Sequence, residues 1–112
     1  MREGDVALAT LPQADGQRRL DRWSFCVECP LFDDWLVCGV STQLHQRVEG
    51  LDESIEPLHG DFAISGLKAA SVIRLGFLTV LPASRFLGIL GRISRERHHR
   101  LLQSLCRHVI PK

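Results

Sequence analysis

The segment at 34–43, DWLVCGVSTQ, constrains this chain more than any other. It runs apolar through Trp35, Leu36, Val37, Cys38 and Val40, then stops at two hydroxyls and an amide, Ser41, Thr42 and Gln43. A short continuous apolar run predicts a strand buried on both faces. Gly39 inside it predicts a bulge or a close backbone approach. Such a strand is a rigid element whose polar tip can present a site. The same tip can equally be the start of a loop.

The flanking sequence supplies partners for this strand. Residues 6–11, closed by Pro12, predict a first strand, and residues 13–21 read as a polar loop turning at Gly16 and carrying Arg18 and Arg19. Residues 23–29, closed by Pro30, predict a second strand, and the short tract before residue 34 predicts an antiparallel hairpin. Residues 44–60 show no period and read as a long surface loop with a helical turn near 51–55. Residues 61–68 predict one helical turn, capped by Asp61 and ended by Gly66. Residues 71–81 predict a strand broken at Gly76 and stopped by Pro82. Another follows at 86–93, interrupted by Gly88 and Gly91. Ser94 is a good N-cap, Glu96 lies in the first turn, and Leu101, Leu102, Leu105, Cys106 and Val109 recur at helical spacing up to Pro111. Five or six short strands and one amphipathic helix predict a mainly β fold, a small barrel or sandwich. At 112 residues the chain is expected to form a single domain, 1–112.

Charge is divided along the chain. Residues 1–60 hold five Lys and Arg against eleven Asp and Glu, and residues 61–112 hold nine against two. The basic half can pair with the acidic half, within one fold or across a dimer, or face nucleic acid or an acidic peptide. No apolar run reaches the roughly 20 residues that span a bilayer. No signal-type apolar segment follows Arg2, so a cytoplasmic protein without a membrane partner is expected. Cys26 and Cys29 form C-V-E-C, but no second ligand pair has similar spacing, and adjacent His98 and His99 diverge on a helix. We expect no metal, no cofactor and no structural disulfide, with buried cysteines acting as small apolar residues.

Four pieces of the chain resemble the PemK/MazF family of bacterial toxins. GDVALATLP at 4–12 is similar to the family's opening strand. Arg22 stands where the family has an Arg-Pro pair. Ser41-Thr42-Gln43 matches the hydroxyl-hydroxyl-Gln end of the third strand. GLKAASVIRL at 66–75, with LGRIS at 90–94 and the helix, resembles the C-terminal half. The resemblance implies an SH3-like β-barrel of the CcdB/MazF type with a C-terminal α-helix. It also implies a homodimer that cleaves single-stranded RNA without a metal and is inhibited by an acidic antitoxin peptide.

In metal-free RNA cleavage the 2′-hydroxyl attacks, and the protein stabilises charge on the phosphoryl oxygens. Arginine suits that role because its planar fork matches phosphate oxygens and stays charged. The resemblance assigns it to Arg22, with Ser41 or Thr42 donating a hydroxyl. Arg18, Arg19, Trp23, Gln43 and Arg74 are the expected RNA-binding residues, Trp23 by stacking on a base. Each has a structural alternative: a surface ion pair of Arg22 with Asp21 or Glu28, solvated loop charges at Arg18 and Arg19, or an internal bridge from Arg74. Two positions depart from the family pattern. Trp23 replaces the proline, and Gly76 stands where relatives often carry an acid. A non-enzymatic CcdB-like binding toxin, or a degenerate member that only binds a partner protein, is therefore the competing reading.

Overall fold

The computed structural model describes residues 1–12 and 18–110. Its centre is the strand expected from the opening segment, β3 (Asp34–Ser41). On one side β3 pairs with β2 (Arg18–Cys29), which pairs with β1 (Asp5–Pro12) and, through it, reaches β6 (Phe86–Arg92). On the other side it pairs with β5 (Ser71–Pro82), which is flanked by β4 (Glu53–Ile55). The result is one antiparallel sheet ordered β4-β5-β3-β2-β1-β6. Its edges, β4 and β6, do not pair, so the sheet is not closed into a hydrogen-bonded barrel. The short helix α1 (Phe62–Ser65) packs against β6, so closely that a Cβ on Gly91 would lie 2.1 Å from the Ile64 carbonyl oxygen.

β3 is buried on both faces, as its apolar run requires. Trp35 and Val37 join Ala7, Ala9, Trp23, Phe25 and Leu81 in one core. Cys38 joins Val6, Ile73, Leu75, Leu101 and Leu105 in a second core across the sheet, with Leu36 and Val40 packed against it. The first core is aromatic: Phe25 stacks on Trp35 with centroids 4.8 Å apart and meets Phe86 edge-on at 4.6 Å. Cys26 sits where the β2–β3 register slips, and its Sγ lies 3.6 Å from that of Cys38, both as free thiols.

Three expectations change. β2 begins at Arg18, so 18–21 form strand and not loop, because they find pairing partners along the full length of β1, ending at Pro12↔Arg18. The helical turn in the 44–60 region falls at Leu44–Gln46, while Glu53–Ile55 is strand. Buried Asp52 directs this tract: its Oδ1 accepts from the Leu75 N–H at 2.9 Å and its Oδ2 from the Val48 N–H at 2.9 Å. Third, the C-terminal helix, α2 (Arg95–Val109), begins at Ser94 as expected, its hydroxyl accepting from Arg97 N–H at 3.1 Å. Its inner stripe, however, is Arg97, Leu101 and Leu105, while Cys106 and Val109 are exposed.

Arg97, one of the basic residues of the second half, is buried in an ionic cluster with Asp61 and Glu53. Its Nε and Nη2 donate to the two carboxylate oxygens of Asp61 at 2.8 and 3.1 Å. Its Nη1 donates to Glu53 at 3.0 Å and to the Ser54 carbonyl at 2.9 Å. Asp61 does not cap α1 through its side chain, because that carboxylate is committed to Arg97 and to the Ser94 N–H. Gly66 ends α1 at φ 74°, as the sequence predicted.

Burial alone would raise the Asp61 carboxyl, but hydrogen bonds from Arg97 and Ser94 and the Arg97 charge hold it down at about 2. A carboxyl below its unfolded value stabilises the fold above about pH 4, a contribution lost as pH falls toward 2. Asp61→Asn should therefore destabilise the protein by about 2 kcal/mol or more at pH 6. Urea unfolding between pH 6 and pH 2 should show the difference from wild type shrinking as the wild-type carboxylate protonates. Arg97→Met leaves the Asp61 carboxylate without its cation and Glu53 with Arg100 alone, and should cost roughly 3–5 kcal/mol at pH 6 in the same measurement.

Candidate functional site

The predicted site residues gather around the β2–β3–β5 junction, and strand alternation divides them between the two faces of the sheet. Arg22 is opposite Val40 on β3 and Leu8 on β1. It stands inside β2, not at its entry. Its side chain is exposed and makes no hydrogen bond or ion pair among the described residues, so the expected alternative of a surface pair with Asp21 or Glu28 is not what holds it. Ser41 follows Val40, so it projects to the face opposite Arg22. Its hydroxyl donates to Gln46 Oε1 at 3.1 Å and accepts from the Gln43 N–H at 3.0 Å. Those bonds fold the chain into the turn that follows β3. Thr42, one residue past the strand, is exposed in the turn. Ser41 therefore faces away from Arg22 and shapes the loop. Gln43 is exposed beside it. The Arg18 and Arg19 side chains lie outside the described residues.

The other face carries a row in which Trp23, Gly39 and Arg74 are direct neighbours across β2, β3 and β5. Trp23 is 1% exposed, so it is not the open stacking surface expected of it. Its ring lies beneath Phe77, with centroids 5.7 Å apart. Phe77 reaches this position because β5 bulges away from β3: Cys38 pairs with Leu78 and Gly39 with Arg74, which leaves residues 75–77 without β3 partners. Gly39 supplies the seat, since a Cβ there would stand 3.0 Å from Phe77 Cδ1. The close approach expected at Gly39 and the break expected at Gly76 are two sides of one feature. The Arg74 guanidinium lies 5.8 Å from the Phe77 ring centre, and its buried Nε has no partner.

Phe77 escaped the sequence reading because an aromatic in a strand suggests core. The break at Gly76 was the signal that could have exposed it. Gly76 itself is exposed and brings no acid to the bulge. The nearby Asp52 carboxylate is 4% exposed and occupied by two backbone N–H groups. Among the described residues, no group of three or more His, Cys, Asp and Glu is gathered to hold a metal ion. A cleft of about 1160 Å³ lies elsewhere, between the N-terminus and the start of α2. His98 lines it and is tied through Nε2 to the Cys26 carbonyl at 3.0 Å.

No protein-family model matches the chain, and comparison with curated proteins returns no relative. Solved structures do match. One is an endoribonuclease in complex with its cognate antitoxin from mycobacterial species, with a TM-score of 0.74 and 13% identity, covering 100% of this chain and 98% of that one. Another is the Mycobacterium tuberculosis toxin MazF-mt6, with a TM-score of 0.68 and 14% identity, covering 92% and 93%. The fold is that of the MazF toxins. The match to the first structure takes in the whole chain.

In this MazF-type sheet the Phe77 seat is directly testable. Gly39→Val should push the ring off Trp23 and alter tryptophan emission while far-UV circular dichroism is retained. Unchanged emission would mean that Phe77 does not rest there.

Proposed function

We propose that this protein is a toxin-type endoribonuclease that cleaves single-stranded RNA within preferred sequences and is restrained by an acidic antitoxin peptide. The observation that carries this reading is an exposed, unpaired arginine on β2 beside the hydroxyl-bearing end of β3, in a chain folded throughout like an endoribonuclease. Arg22 donates its fork to the non-bridging oxygens of the scissile phosphate, and Thr42 adds a hydroxyl donor. The 2′-hydroxyl gives up its proton to solvent and its oxygen bonds to phosphorus as the bond to the 5′-oxygen breaks; the 5′-oxygen takes a proton from solvent, leaving a 2′,3′-cyclic phosphate and a 5′-hydroxyl. This chemistry needs no metal. Ser41 acts through the loop that places Thr42. Gln43, Arg74, Arg18 and Arg19 hold the RNA strand.

The active form we propose is a cytoplasmic homodimer. Val27, Leu36 and Val80 stand side by side on β2, β3 and β5, with Val27 36% and Val80 52% exposed, an apolar row suited to burial between copies. No helix among the described residues is long and apolar enough to cross a membrane. The missing acid at Gly76 favours a second reading, partner binding without cleavage.

Substitution separates the two. Arg22→Ala should lower RNA cleavage by roughly 100- to 1000-fold, as loss of an oxyanion donor does elsewhere. Arg22→Lys should restore little, since a point charge lacks the fork. Thr42→Ala should lower the rate more than Ser41→Ala. Normal cleavage by Arg22→Ala would remove the catalytic assignment and leave the binding reading in front. Sedimentation at micromolar concentration that finds only a 12.6 kDa species would remove the dimer.

A further inference from the structure

Phe77 is an expensive feature to leave unexplained. It is 49% exposed, on a bulge, in a position where a polar residue would meet water more favourably. Yet it is held firmly. Its ring lies on buried Trp23, beside a glycine with no side chain to displace it, within cation–π reach of Arg74. Arg74 is half-buried, its Nε is buried without a partner, and it has no carboxylate partner among the described residues. A rigid, half-open aromatic ring beside an unneutralised guanidinium is complementary to a flat, electron-rich ring that carries a negative charge. A nucleotide has both parts.

We propose that Phe77 and Arg74 form a nucleotide subsite, in which a base of single-stranded RNA stacks on the open part of Phe77 and a neighbouring phosphate bonds to the Arg74 guanidinium. This rests on the reading that the protein binds single-stranded RNA, and it names where a base is held. The row Trp23–Gly39–Arg74 lies on the face opposite Arg22, so this subsite is separate from the proposed cleavage site. Stacking tolerates any base, because every base has a π face. The subsite therefore contributes affinity and register more than sequence choice. Trp23 acts as the support beneath the ring.

The test uses a labelled single-stranded 2′-O-methyl oligonucleotide, which binds but lacks the attacking hydroxyl, and a matched set with one base removed at each position in turn. Phe77→Ala should weaken binding of the intact probe by roughly 5- to 100-fold. Phe77→Trp should retain it. Arg74→Ala should weaken binding and reduce the magnitude of the salt slope by about one. Removing the base that stacks should weaken wild-type binding to a similar degree and have little further effect on Phe77→Ala. Thermal unfolding of each variant checks that the fold persists.

Equal affinity of wild type and Phe77→Ala for the intact probe would overturn the subsite, and cleavage by the wild type would then still support the ribonuclease. Wild-type binding with the expected losses but no cleavage of ordinary RNA would support the subsite and remove the ribonuclease. Absence of any oligonucleotide binding would overturn both. If Phe77→Ala abolishes self-association and leaves the abasic series unchanged, the ring belongs to a contact between copies and the proposal fails.

Discussion

A strand buried on both faces has little freedom of register, and β3 imposes that restriction on everything around it. Sliding β3 by one residue would exchange Trp35 and Val37 for Leu36 and Cys38, and so swap an aromatic core for an aliphatic one. With β3 fixed, Arg22 is set opposite Val40 and Arg74 opposite Gly39, while the polar tip emerges at Ser41–Gln43. The candidate chemistry on both faces therefore follows from one packing constraint. A site assembled on strand registers is held by the core and not by the loops.

The second constraint is ionic and joins the sheet to its helices. Arg97 ties α2 to Asp61 at the start of α1 and to Glu53 on β4, and Arg100 reaches the same glutamate. Glu53 and Asp61 lie in or beside the acidic half of the chain, and the arginines lie in the basic half. Part of the charge division along the sequence is thus neutralised inside the fold. The basic residues left free to meet an outside anion are fewer than the sequence count suggests. Arg22 and Arg74 remain without partners among the described residues.

What was legible in the sequence followed from period and punctuation. The apolar run of β3, the Ser94 cap, the αL end at Gly66 and the break at Gly76 were all local signals with local physical causes. What was not legible depended on distant partners. Residues 18–21 became strand because β1 offered them hydrogen bonds. Arg97 looked like a solvated charge because its carboxylates lie far away in sequence. Trp23 is covered and Phe77 is half-open because burial depended on where the β5 bulge fell. Within the candidate site, the sequence singled out Arg22 and the hydroxyl pair but not that Ser41 faces away from Arg22; strand alternation makes that distinction.

We propose that a MazF-type fold here carries an arginine–hydroxyl site at which RNA is cleaved through the RNA's own 2′-oxygen. Mass spectrometry of the products, after incubating purified protein with a defined single-stranded RNA in EDTA, tests it most directly. The account predicts fragments ending in a 2′,3′-cyclic phosphate, each paired with a fragment beginning in a 5′-hydroxyl. Intact RNA, or cleavage that leaves a 5′-phosphate and a 3′-hydroxyl, would contradict it.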